Sequence, residues 1–273
     1  MSLGLVPTMG NLHAGHLSLV ERSIRENKKT IVSIYVNPLQ FGPNEDFEQY
    51  PRTLDADRAI LSQYDTVTLW APTTKDLYPL GVANAYGITA PKAMAQHWCG
   101  NSRPHFFDGV CTVVFRLCQQ ATPTRLYMGE KDYQQCTIIQ GLIHDYQLPI
   151  TIVPCPIIRE ADGLAYSSRN QYLSPAERMH ATQLYRAITA AQEAVARLET
   201  NPSVILKTCR NFLGDPLKID YLGIADPDSL LPIVRDVRSN DRLMLAAHLG
   251  ETRLMDNHSF ELGPIALDAA NTH

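Results

Sequence analysis

An α/β fold, with a doubly wound Rossmann-like parallel sheet and a smaller C-terminal α+β domain, is what this sequence predicts. Two patterns carry that expectation. In the N-terminal part, short β-branched runs alternate with stretches of helical periodicity, the order expected of crossover units on a parallel sheet. Beyond Pro156 the alternation stops and helices precede strand-like runs, as in a separate α+β unit. The expected domains are therefore 1–156 and 157–273. The composition agrees: 273 residues, 45% apolar and 19% charged, suffice for a large buried core and argue against disorder.

Taken in order, residues 3–6 read as a buried strand, and Pro7-Thr8-Met9-Gly10 as the turn that leaves it. Over 14–27, Leu17, Val20 and Ile24 share one helical face. Residues 31–36 form a second strand, which Asn37-Pro38 ends because proline disfavours continuing a ladder or a helix. A polar loop through Gly42-Pro43-Asn44 precedes a helix over 54–63 and a strand over 66–70. Val110, Val113, Val114 and Leu117 mark a further helix. A strand at 126–128, a helix over 132–146 and a strand at 150–153 complete the alternating part. Ser174-Pro175-Ala176-Glu177 is a capping box with proline at the first helical position, opening one long helix to about residue 198. A helix from Pro202 follows, then strands at 218–224, 243–247 and 253–255.

Lys and Arg number 24 against 28 Asp and Glu, for a formal net charge of −4. That balance argues against a protein that holds nucleic acid by neutralising its phosphates. The six cysteines are scattered without a C-x-x-C pair, as expected of reduced thiols in a cytoplasmic protein. No signal peptide is read at the start, and no apolar run approaches the ~18 residues of a membrane span. Asn257-His258-Ser259 matches a glycosylation sequon and reads as chance.

P-loop and dinucleotide fingerprints are absent, and four short stretches carry the candidate chemistry. His13 and His16, spaced to share a helical face, lie where strand one gives way to helix one, at the sheet edge where open α/β folds bind ligands. Free N–H groups there suit phosphate, and Gly10 and Gly15 permit close backbone approach. A metal-binding histidine pair or ordinary polar residues at a helix start would look the same. In the second stretch, Lys131 is a mobile charge for polyphosphate, while Asp132 and Gln135 share a helical face or form a simple helix cap. Ser167, Ser168 and Arg169 are either phosphate ligands or a surface loop. Asn37 and Gln40 carry amides suited to a hydroxylated small molecule, or lie in a plain loop.

Read together, the stretches closely resemble the pantothenate synthetase family, within the nucleotidyltransferase superfamily that carries a His-x-Gly-His motif. The matches are Pro7-Thr8-Met9-Gly10 with His13-x-Gly15-His16, Val36-Asn37-Pro38-x-Gln40-Phe41 and Tyr50-Pro51-Arg52-Thr53. They continue with Gly129-Glu130-Lys131-Asp132, Gln134-Gln135, Asp162-Gly163-Leu164-Ala165 and Ser167-Ser168-Arg169-Asn170. Leu249-Gly250-Glu251-Thr252-Arg253-Leu254 with Asp256-Asn257 is also similar, so the resemblance spans nearly the whole chain.

The resemblance implies ATP-dependent joining of pantoate to β-alanine through pantoyl adenylate, with release of AMP and pyrophosphate. It further implies that His13, His16, Lys131 and Arg169 act in catalysis, His16 as the proton donor the family is held to use. Met9, Gly10, Gly15, Gly129, Glu130, Asp132, Ile158, Tyr166, Ser167 and Ser168 would join them around ATP. Gln40, Gln135 and Asn37 would hold pantoate or β-alanine, and Asp57 and Asp132 would lie near Mg²⁺. A cytoplasmic homodimer, closing its C-terminal domain over ATP, is implied as well, with neither nucleic acid nor membrane as partner. The alternative is a nucleotide-binding homologue with lost or changed turnover.

Three departures from the family are visible. The helix expected before the first strand is missing, which bears on stability more than on chemistry. Arg103-Pro104-His105-Phe106-Phe107 replaces Arg-Pro-Gly-His-Phe, so no role is carried over there. Tyr166 stands where the family has Met or Leu, with a ring able to crowd or re-stack the nucleotide.

Overall fold

The structure, a computed structural model, describes residues 2–43 and 45–262. The chain divides into two compact units, Met1–Tyr172 and Leu173–His273. The first unit contains strands β1 (Leu3–Thr8), β2 (Lys29–Ile34), β3 (Val67–Trp70), β4 (Arg125–Gly129) and β5 (Thr151–Cys155). They form one parallel sheet in the order β3-β2-β1-β4-β5. Helices α1 (Ala14–Glu26), α2 (Leu54–Leu61), α3 (Thr74–Leu77), α4 (Lys92–Ala95), α5 (Cys99–Ser102), α6 (Phe106–Ala121) and α7 (Tyr133–Asp145) lie between the strands in sequence. The chain thus runs outward from β1 in both directions, as the alternating pattern predicted. The short helices α3, α4 and α5 carry no periodic signal, because one turn holds too few positions to define a face.

Several boundaries differ from expectation for physical reasons. Pro7 and Thr8 belong to β1, not to the turn after it. The Leu3 carbonyl accepts from Thr124 N, and the Thr8 carbonyl from Tyr35 N, so alternate residues of β1 address alternate neighbours. Pro7 therefore turns its nitrogen toward the β4 side, where strand pairing has already ended at Leu5. A missing donor costs nothing there. The core around this sheet includes Val6, Val20, Val32 and Tyr127, all fully buried. All six cysteines are free and buried.

The second unit holds α8 (Pro175–Ala181), α9 (Gln183–Ala196), α10 (Pro202–Arg210) and an antiparallel sheet of β6 (Lys218–Ala225), β7 (Arg242–Leu249) and β8 (Thr252–Ser259). The expected capping box is formed: Ser174 accepts from Glu177 N, and the Glu177 carboxylate accepts from Ser174 N. The one long helix expected to about 198 is instead two, broken at Thr182. There the Thr182 hydroxyl donates to the Met179 carbonyl and competes with regular helical bonding. Asn257, in the sequon, is buried in β8, with its side chain accepting from Arg242.

The division also falls later than the 156/157 boundary read from the sequence. Residues 157–172 fold back onto the first unit, with Ser168 Oγ 3.4 Å from the Asn11 carbonyl and Arg169 paired to Asp46. The end of strand alternation at Pro156 marks the end of the sheet and not of the packing unit.

Candidate active site

In the order β3-β2-β1-β4-β5, the connections diverge between β1 and β4, a topological switch point of the kind that opens a ligand crevice at the strands' C-terminal ends. The chain leaves β1 through Met9–His16 and leaves β4 through Gly129–Asp132, so two of the four candidate stretches meet there. Gly10 has φ +84°, and a Cβ on it would lie 3.0 Å from both Asp57 Oδ2 and Ile34 Cγ2. Only glycine suits that turn.

Asp57, expected near a metal, is engaged within the protein. It is 1% exposed, and its two oxygens accept from Asn11 N (3.0 Å), Leu12 N (2.8 Å) and Thr53 Oγ1 (3.2 Å). A carboxylate so engaged braces the turn after β1.

His13 occupies the N-cap position of α1, and its ring makes no capping hydrogen bond. Instead it lies against His16, with centroids 4.0 Å apart and the planes tilted by 32°, and stacks on Tyr166 at 5.8 Å and an interplanar angle of 19°. A Cβ at position 15 would approach the His13 ring to 3.0 Å, which accounts for Gly15. Burial, helped by the Lys131 charge, lowers the His13 pKa to about 4. Burial, the neighbouring His13 and Lys131 lower that of His16 to about 3. Both imidazoles are thus neutral at pH 7. His16 Nδ1 accepts a long 3.4 Å bond from His13 N, so the ring proton resides on Nε2. His13 Nδ1 is buried without a hydrogen-bond partner. A neutral donor and an unmatched nitrogen beside a lysine suit an anionic ligand that is itself a hydrogen-bond acceptor.

Glu130–Asp132 form a single 3-10 turn before α7. Asp132 makes no side-chain cap, so the alternative of a plain helix cap does not hold. Its half-exposed carboxylate lies 3.9 Å from Lys131 Nζ. Gln135, in the first turn of α7, is partly exposed, while Gln134 is buried and bonded to Cys99 N, Met94 O and His97 O. Gly129 has open space where a side chain would project.

Across the site, Gln40 Nε2 lies 3.0 Å from Met9 Sδ, and its Oε1 accepts from Asn37 at 3.2 Å. Asn37, expected to touch substrate, supports Gln40 in this structure. It is 1% exposed, and both of its polar atoms already have partners within the protein. Arg103, to which the sequence assigned no role, donates to the Gln40 carbonyl at 3.0 Å and pairs with Glu45. That contact joins residues remote in sequence, and no local pattern reports it.

Ser167 Oγ accepts from Arg169 N, and Arg169 makes a bidentate pair with Asp46 at 2.8 and 3.1 Å, beside the Tyr50 ring. Ile158, half-buried, accepts from Tyr166 N at 3.0 Å, which ties the two together. Because 157–172 belongs to the first unit, these residues share a unit with the histidines and are not carried by the second. Among the described residues no cluster of three or more His, Cys, Asp or Glu is arranged to hold a metal. No helix of these residues is long and apolar enough to cross a membrane.

Residues 1–259 match the family model described as pantoate-beta-alanine ligase. The pantothenate synthetase of Clostridium botulinum is 41% identical over 264 residues, covering 96% of this chain and 92% of that protein. A bifunctional pantoate ligase/cytidylate kinase of Synechococcus elongatus is 45% identical over 258 residues, 94% of this chain and 49% of its own length. The chain thus spans about half the length of such bifunctional relatives. A pantothenate synthetase crystal structure from Thermus thermophilus superposes with a TM-score of 0.91 at 42% identity, covering 96% of this chain and 94% of that one. A Francisella tularensis pantoate-beta-alanine ligase structure, complexed with beta-gamma ATP and beta-alanine, matches with a TM-score of 0.78 at 36% identity, over 97% and 92% of the two chains. The fold, the switch-point site and these matches agree, and the chain belongs to the pantoate-β-alanine ligase family.

Proposed function

We propose that this protein condenses pantoate with β-alanine at the expense of ATP, forming pantothenate, AMP and pyrophosphate. A carboxylate and an amine by themselves form a salt, so the acid must first acquire a leaving group. A pantoate carboxylate oxygen attacks the α-phosphorus of ATP; the bond to the β-phosphate oxygen breaks, and pyrophosphate departs with that electron pair. The neutral amine of β-alanine then attacks the acyl carbon of pantoyl adenylate. The carbon–oxygen bond to AMP breaks, and the amine loses a proton as the amide forms.

The neutral pair of His13 and His16, rings 4.0 Å apart beside Lys131, is the observation that carries this reading. His16 Nε2–H donates toward the phosphate oxygen on which charge grows, and Lys131 supplies positive charge. A neutral imidazole acts here as a hydrogen-bond donor, and full proton transfer from it waits on a bound anion to raise its pKa. Gln40 and Gln135 hold pantoate, and Gly129 leaves room for the nucleotide. Arg169 exchanges Asp46 for phosphate oxygens, with Ser167 and Ser168 alongside, because a carboxylate and a phosphate fit the same guanidinium fork. Asp132 is the carboxylate that fits Mg²⁺, an ion commonly held by one or two carboxylates together with substrate phosphates. Bound there, the ion would screen the polyphosphate from its attacker. The homodimer and the cytoplasmic location belong to this same proposal.

The test is exchange of labelled pyrophosphate into ATP, with Mg²⁺ present and β-alanine withheld. Exchange that depends on pantoate is the expected result. ATP binding without any exchange would instead indicate a nucleotide-binding relative lacking turnover.

A further inference from the structure

Asn37 and Gln40 carry amides whose two ends differ in chemistry, and their surroundings decide which end faces the site. The Gly109 carbonyl lies 3.1 Å from one terminal atom of Asn37, and a carbonyl can only accept. That atom is therefore Nδ2. The opposite atom, Oδ1, faces the Tyr78 hydroxyl at 2.7 Å, so the phenol must donate. Tyr78 is 1% exposed, and burial raises its pKa, which keeps the donor proton in place. The second Nδ2 hydrogen points to Gln40 at 3.2 Å, and the atom receiving it must be Oε1. Gln40 is left with Nε2 outward, its 3.0 Å contact being the Met9 thioether, a weak acceptor that a substrate oxygen displaces. Glycine at 109 makes the relay sterically feasible. A Cβ there would sit 2.2 Å from the Leu39 carbonyl, so only glycine lets α6 approach the 37–40 loop this closely.

We infer that Tyr78 is a positioning residue that acts through Asn37 to hold Gln40 with its hydrogen-bond donor toward the acid substrate, and so sets affinity for pantoate and not for ATP. The inference rests on the proposed function, in which Gln40 holds pantoate. Without the phenolic hydrogen, the remaining partner of Asn37 Oδ1 is Leu39 N at 3.4 Å. The Gly109 carbonyl and Leu39 N still set which end of Asn37 is which, but Oδ1 loses the shortest of its bonds, so Asn37 is held less firmly and Gln40 Nε2 is positioned less well for the acid.

The experiment measures pantoate-dependent pyrophosphate exchange in the wild type and in Tyr78→Phe, varying pantoate and ATP separately. The variant is expected to raise the KM for pantoate about tenfold, the worth of one buried hydrogen bond. The KM for ATP, and the rate at saturating pantoate, should stay within about twofold. An unchanged pantoate KM, or equal changes in both KM values, overturns the inference. Should Tyr78→Phe fail to fold, Gln40→Glu keeps the shape and acceptor while removing the donor. It should raise the KM for pantoate alone, and an unaltered value is equally fatal. Absence of exchange in the wild type would count against the proposed function itself, a result separate from either variant outcome.

Discussion

His16 is neutral because burial and two neighbouring groups oppose its protonation, and that neutrality leaves Nε2–H as a fixed donor. Losing one preorganised donor to a developing oxyanion typically costs about 10²–10³ in rate. His16→Ala should therefore slow pantoate-dependent exchange by ~10²–10³-fold while circular dichroism stays that of the wild type. Asp57 is a residue at which chemistry and position part company. The sequence shows a carboxylate, and the structure shows it accepting from two backbone N–H groups of the turn after β1 and from Thr53. Asp57→Asn places an N–H against a backbone donor, so it should cost about 1–3 kcal/mol in thermal unfolding. The Mg²⁺ concentration that half-saturates exchange should be unchanged in this variant and raised in Asp132→Asn. A Mg²⁺ shift in Asp57→Asn would restore it as a metal ligand.

Secondary structure elements were the most legible level, because strand alternation and helical faces are local patterns. β1, α1 and β4 lie where their apolar residues put them, and so do the two candidate stretches that follow β1 and β4. Ser174 shows how far local chemistry reaches: the S-x-x-E pattern forms its reciprocal bonds as read. Ser174→Ala should lower the melting temperature of whichever transition reports the second unit, by the ~0.5–2 kcal/mol typical of a lost cap. Local patterns failed where a competing bond intervened. Thr182 breaks the expected long helix by bonding the Met179 carbonyl, and serine or threonine inside a helix gives no advance notice of that choice.

For the whole molecule, the buried imidazoles couple folding to acidity. In the unfolded chain each histidine titrates near 6.5, whereas in the folded protein His13 titrates near 4 and His16 near 3. Between those values the unfolded chain binds more protons, so stability rises with pH. The contribution is complete above about pH 6.5 and is lost as pH falls toward 4 and then 3. Melting temperature measured from pH 7 down to pH 4 should decline, and the slope should flatten in the His13→Gln/His16→Gln double variant. An unchanged slope in that variant would assign the acid sensitivity to other groups.

The sequence by itself determined the fold class, the order of the strands and of the longer helices between them, and the residues gathered at the ends of β1 and β4. These follow from periodicity and from short motifs, which are written along the chain. Which candidate residues meet a ligand, and which hold the site together, was decided only in three dimensions. Asp57 and Asn37 read as ligands and are bonded within the protein, while Arg103, to which no role was carried over, and Tyr78, which carried no signal, support Gln40 through space. The place where the first unit ends is likewise tertiary, since residues 157–172 return to pack near His13 and Asp46. A side chain's role depends on how many of its hydrogen-bonding positions the fold consumes, and most of those partners lie dozens of residues away in the chain.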